Sequence, residues 1–219
     1  MKKLVVAAAL SAALASSVVA EEKSGVFVGV HGGLGMVPGV IFNAAGNETA
    51  WDASMGPETE TSINAGAKVG YQHWFIPYFG LRAYFQYDFN TGRTWQGLGD
   101  SSLSAAFQTF TGNIDLMANF INTESFSLGV FAGIGAGYTM TIWSDENVAK
   151  ALDKTMEYVG LALPINVGIA TTIAESHKIE LGARIPALPA FYQTKGDTNN
   201  KAGFGFAPMS VNLGYSYIF

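Results

Sequence analysis

The chain has no cysteine, which excludes a disulfide framework and also the acylated Cys of a bacterial lipoprotein. Charge is scarce as well. Only 13% of the residues are charged while 49% are apolar, against roughly 25% charged in an ordinary soluble domain. The three histidines are scattered, so without Cys there is little from which to build a transition-metal site. Positive charge is in deficit, with a formal net charge of −5, which argues against nucleic acid as a partner. Beyond the first twenty residues no long apolar run is uninterrupted. Phe126 to Ile142 and Val159 to Ile173 are broken by Gly129, Gly133, Gly135, Gly137, Gly160, Pro164 and Gly168. A membrane-crossing chain must satisfy its backbone either as a helix or as a closed barrel, and these interruptions point to the barrel.

The N-terminus carries an address. Lys2 and Lys3 precede an Ala/Leu/Val run from Leu4 to Ala15, and Ser16-Ser17-Val18-Val19-Ala20 offers a small-residue cleavage site before Glu21 and Glu22. This is the layout of a secretory signal peptide. Residues 1–20 are read as a cleaved leader and residues 21–219 as one barrel domain. Removing Lys2 and Lys3 takes the formal charge from −5 to −7.

Eight segments alternate with period 2, most of them long enough for the ~9–11 residues of a tilted transmembrane strand. In the third, Phe79, Leu81, Ala83, Phe85, Tyr87 and Phe89 oppose Gly80, Arg82, Tyr84, Gln86, Asp88 and Asn90. The last has Val211, Leu213, Tyr215, Tyr217 and Phe219 on one parity and stops on that aromatic residue. Links alternate short and long. Phe75-Ile76-Pro77, Asn122-Thr123-Glu124 and Ala174-Glu175-Ser176-His177 are short turns. The segments near 37–60, 91–103, 144–156 and 193–203 are longer, the pattern of periplasmic turns and external loops. In the third loop a Ser144 cap, an acidic first turn and helix formers to Leu152 predict a short external helix.

A soluble lipocalin-like barrel has the same period with its apolar face inward. The polar face decides between the two. It is mostly Gly, Ala, Thr, Ser and Asn, a poor water-exposed surface, and the apolar face carries no charge within the strands. Trp74, Phe75, Tyr78, Phe79, Phe120 and Phe126 lie near strand ends, as interfacial girdles do. The expectation is an all-β, eight-stranded antiparallel up-and-down transmembrane barrel of the outer-membrane type, apolar side out. It is expected to be monomeric, with outer-membrane lipid and the barrel-assembly machinery as partners.

Two passages carry a resemblance. Ala67-Lys68-Val69-Gly70-Tyr71-Gln72-His73-Trp74-Phe75-Ile76-Pro77-Tyr78-Phe79-Gly80-Leu81-Arg82 and the ending from Val211 to Phe219 resemble the Helicobacter outer membrane protein family, whose adhesins and porins share a C-terminal barrel. The resemblance implies residence in the cell outer membrane. It also implies that Tyr215, Tyr217 and Phe219 form an assembly signal, as the terminal strand of such barrels does. No extended external domain is present from which receptor-binding residues could be carried over.

Lys68, Arg82, Asp115, Glu180 and Arg184 all take the inward parity. Unpaired charges are costly in a low-dielectric interior, and an eight-stranded barrel is only wide enough for side chains to fill. Two readings of this lumen cluster stay open: a salt-bridged plug, or a gate whose pairs rearrange to admit small ions. Phe27, Tyr84, Met117 and Phe131 are expected to fill the space beside the inward glycines. Gly133-x-Gly135-x-Gly137 lacks the strand-to-helix context of a phosphate loop. His31, His73 and His177 have no Ser and acidic partner at convincing offsets, so enzymatic activity is not expected, a membrane-embedded lipid-modifying enzyme being the remote alternative. No cofactor is expected. Asp52, Glu58, Asp145 and Glu146 are loop carboxylates that solvation explains as well as cation binding does, and Trp51 is a candidate surface contact. The functional expectation is envelope structure with adhesin-like interaction of surface-exposed loops with a host or other surface ligand, the alternative being a narrow, porin-like channel.

Overall fold

A computed structural model describes residues 23–42, 61–98, 101–123, 125–195 and 203–219. The leader expected over residues 1–20, together with Trp51, Asp52 and Glu58, lies outside them. Eight long strands follow from the period-2 segments: β1 (Gly25–Met36), β3 (Thr61–Ile76), β4 (Phe79–Leu98), β5 (Ser101–Thr123), β6 (Phe126–Trp143), β9 (Pro164–Ile173), β10 (His177–Pro186) and β13 (Met209–Ile218). Each pairs antiparallel with its sequence neighbour in this set, and β13 pairs β1, so the sheet closes. The closing register sets Val28 opposite Tyr217 and Val30 opposite Tyr215.

Alternation puts the apolar parity outside. Val26, Ile63, Phe85, Ile114, Ile134, Leu181 and Leu213 are all exposed, whereas Arg82, Asp115, Asn113 and Ser216 are buried. The soluble-barrel alternative would need the reverse. The short turns are where the pattern put them, including one after β9 in which Ala174 and Glu175 take φ of 50° and 60°.

Three of the long links differ from expectation. The segment 91–103 is mostly wall, because β4 runs on to Leu98 and β5 starts at Ser101. Between Asn90 and Arg93 the register shifts by one residue. Gly92 sits there at φ 75°, its N–H bonded to Asn90 Oδ1 at 2.9 Å, and an added Cβ would lie 1.4 Å from Ala105 O. This is a glycine bulge.

The segments around 37–42 and 190–206 hold a second, four-stranded sheet. It comprises β2 (Gly39–Phe42), β7 (Met156–Val159), β11 (Ala190–Thr194) and β12 (Gly203–Phe206), in the order β2-β12-β11-β7. A two-residue strand, β8 (Leu161–Ala162), joins β6 below it. These short strands continue β1, β13, β10 and β9 beyond breaks that hold Pro38, Pro208 and Pro189 and, before β9, end at Pro164. Proline offers no N–H to a ladder, so four adjacent staves stop and re-pair as a flap. The other four, β3 to β6, have 16, 20, 23 and 18 residues and run straight on.

The helix of the third long link is α1 (Glu146–Thr155). Its cap is Asp145 rather than Ser144, since Asp145 Oδ1 accepts from Asn147 N at 2.8 Å, and none of its residues is buried. Ser144 instead closes the end of β6 by accepting from Ser104 N.

Candidate functional site

The lumen is filled at three levels. At the turn end, Trp74, Met117 and Phe131 form an apolar cluster. Trp74 is thus not interfacial: it has the inward parity of Gln72, is 8% exposed and packs where Gly80 leaves room. Of the other proposed girdle residues, Phe75, Phe79, Phe120 and Phe126 are exposed and Tyr78 is half-buried. Tyr215, Tyr217 and Phe219 are exposed on the apolar wall, with Tyr217 and Phe219 edge to face at 5.0 Å. Phe131 fits against Gly168 and Gly182, where a Cβ would come 2.6 and 3.0 Å from its ring, so large meets small on the neighbouring strands. Phe27 and Tyr84 pack with Ile218 a little higher.

Next comes the ionic level. The structure brings all five residues of the predicted cluster together. Arg82 (β4) donates from Nε to Asp115 Oδ2 on β5 at 2.9 Å, and its Nη2 lies 2.8 Å from the same oxygen. Its Nη1 crosses to Glu180 on β10, the strand opposite β4 in the ring. Glu180 also takes Lys68 from β3. Asp115 accepts in addition from the Tyr84 hydroxyl at 2.9 Å and from Asn166 Nδ2 at 3.3 Å. Arg184 donates to Asn166 Oδ1 at 2.9 Å and to Thr111 Oγ1 at 2.5 Å.

Three further members share the inward parity and fell outside the predicted cluster. Asp88 sits between His31 Nε2 at 2.8 Å and Arg184 Nε at 3.3 Å. Lys178 donates to Gln72 Oε1 at 2.5 Å. Parity alone would have found them. Among the described residues the buried ions are four cations, Lys68, Arg82, Lys178 and Arg184, against three anions, Asp88, Asp115 and Glu180. Desolvating each would be expensive alone, and mutual pairing with hydrogen bonds to the remaining lone pairs is what makes it tolerable.

The outer level is aromatic. Phe107 from β5 and Phe206 from β12 lie 5.2 Å apart, and Trp143 Nε1 donates to the Tyr192 hydroxyl at 2.9 Å. Val37 and Ala105 complete this buried cluster, with Tyr158 and Leu152 packed beside it. The flap therefore folds over the mouth and rests on the inner face of the tall staves. Tyr158 belongs to this cap, beyond the proline breaks, and donates to Thr139 O. Burial pushes its phenol above the usual tyrosine value. Two small cavities remain between the levels, of about 30 and 50 Å³, and Arg184 lines both.

The loop carboxylates within the described residues have local partners, Asp145 in its cap and Glu146 with Lys150 at 3.0 Å. His177 Nδ1 lies 2.8 Å from the Tyr215 hydroxyl at the turn end.

A closed wall with an apolar exterior and an ion-paired interior is a membrane barrel, and one family model fits it. The model, described as Helicobacter outer membrane protein, matches residues 66–219. The chain belongs to that family. This outer-membrane barrel is similar in architecture to solved structures of the same kind. The outer membrane protein OprG of Pseudomonas aeruginosa is 15% identical, covering 90% of this chain and 98% of that one, TM-score 0.47. Neisserial surface protein A is 10% identical, covering 90% and 100%, TM-score 0.46. The attachment invasion locus protein Ail of Yersinia pestis is 11% identical, covering 87% and 99%, TM-score 0.35. Among curated proteins none matches the chain.

Proposed function

We propose that this protein is a closed outer-membrane barrel that serves envelope structure and presents its external elements to a host or other surface ligand. One observation carries the reading: the lumen is blocked twice, by ion pairs spanning opposite strands and by an aromatic cap over the mouth. A protein built to pass solutes has little use for either. A closed barrel instead holds α1, the flap and the long links at the cell surface on a rigid base, as loop-borne recognition needs. The test trims residues 43–60 and 146–155 separately in the full chain. Loss of surface binding with heat-modifiable migration intact supports the reading, whereas unchanged binding in both variants contradicts it.

A second reading, a narrow ion channel, draws on the two voids that meet at Arg184. Under it, movement of one guanidinium joins them. Planar-bilayer recording of wild type and Arg184→Ala separates the two readings, because a closed barrel is silent in wild type.

A further inference from the structure

One roomy hollow lies outside the barrel. On the apolar wall across β3 to β6 lies a groove of about 570 Å³. Its floor follows from the register, in which Gly112 pairs with Ala136 on one side and with Phe85 on the other. Gly112 faces outward with an open Cβ position, the nearest atoms being Phe85 Cε1 at 3.8 Å and Ala136 O at 4.0 Å. Phe85, 75% exposed, stands as a side wall. Across the upper end run Tyr87, Phe110 and Tyr138, three consecutive cross-strand partners, with Tyr87 and Phe110 ring to ring at 5.0 Å.

The groove lies within the lipid-facing belt and is continuous with it, so its solvent is acyl chain rather than water. Depth selects the leaflet. Phe85 and Tyr87 are six and eight residues beyond Phe79, which starts β4 at the short-turn end. At ~3.3 Å per residue and a tilt of ~40° that is about 15–20 Å up a ~25 Å apolar band. The groove thus belongs to the outer half, and the phenols of Tyr87 and Tyr138 mark its rim, where tyrosine meets headgroups. We propose that this groove is a seat for one acyl chain of an outer-leaflet lipopolysaccharide, held by small residues below and aromatic rings at its edges.

The experiment is native mass spectrometry of the full chain, extracted from outer membranes in mild detergent. Wild type is expected to retain one multi-acyl glycolipid, identified by its mass. Gly112→Leu and Ala136→Leu, which fill the floor, and Phe85→Ala, which removes an exposed wall, should each retain about fivefold less. Ala183→Leu, the same enlargement on strand β10 opposite, should match wild type. Heat-modifiable migration selects folded samples, and Phe85→Ala, altering only an exposed side chain, keeps the test informative if the filled variants misfold. Equal retention in wild type and Phe85→Ala overturns the proposal. So do retention of phospholipid in place of glycolipid, and a wild-type dimer that Gly112→Leu dissolves.

Discussion

Replacing Arg82 by alanine is the sharpest perturbation of the ionic level. The guanidinium meets Asp115 Oδ2 through two nitrogens, reaches Glu180 through a third, and lies 4.4 Å from the Phe131 ring centre. After Arg82→Ala, Asp115 keeps Tyr84 and Asn166, and Glu180 keeps Lys68. Two carboxylates then share one cation where they shared two. Removing one partner of a buried pair costs about 3–5 kcal/mol, and the surviving hydrogen bonds set the expectation near the lower end, about 3 kcal/mol. That is a large part of the ~5–15 kcal/mol that holds a domain folded. The assay is urea unfolding of protein refolded in lipid vesicles, followed by tryptophan fluorescence. Glu180→Ala should cost a similar amount. The double variant should cost less than the sum of the two by about 1–3 kcal/mol, since the residues share one network. Added salt should leave the cost nearly unchanged, because buried pairs are screened weakly. A loss below about 0.5 kcal/mol in both single variants, the range of an ordinary surface substitution, would refute the paired network.

Four other outcomes follow from the geometry. Phe206→Ala removes a fully buried ring from the cap and should cost about 3–5 kcal/mol in the cooperativity of that region, read as faster proteolysis of the flap with the lower barrel still heat-modifiable. Gly33→Val forces a side chain to within 2.0 Å of Val211 O at the closing seam, and should abolish the folded band on unheated gels. Ala174→Gly relieves a positive φ and should gain up to about 1 kcal/mol in urea unfolding. Burial holds the Tyr158 phenol above its ordinary value, so its neutral form favours the fold. That contribution is intact below the unfolded tyrosine value of ~10 and is lost as pH climbs past it. Thermal melts of Tyr158→Phe should therefore lose less stability than wild type between neutral and strongly alkaline pH.

The membrane-spanning wall was legible because period 2 is unbroken there. Where the period fails, the sequence misleads for local reasons. Asn90-Thr91-Gly92 has turn chemistry, yet the structure spends it on a bulge that shifts register and lets two strands run on. The flap strands have four or five residues each, too few for alternation to register, and the prolines that create them read as loop. Trp74 has the aromatic character of a girdle residue, yet its parity is that of the lumen. For the lumen, parity named the inward charges but not their partners. The Arg82–Glu180 contact depends on how many staves separate β4 from β10, and the Arg184–Asp88 contact on the tilt that brings different heights together.

The closed lumen is the central claim, and single-molecule conductance tests it most directly. Wild-type protein inserted into a planar bilayer, with insertion verified by protease protection, is predicted to give no resolvable steps over a wide voltage range. Reproducible unitary openings from wild type, altered in size by Arg184→Ala, would contradict it.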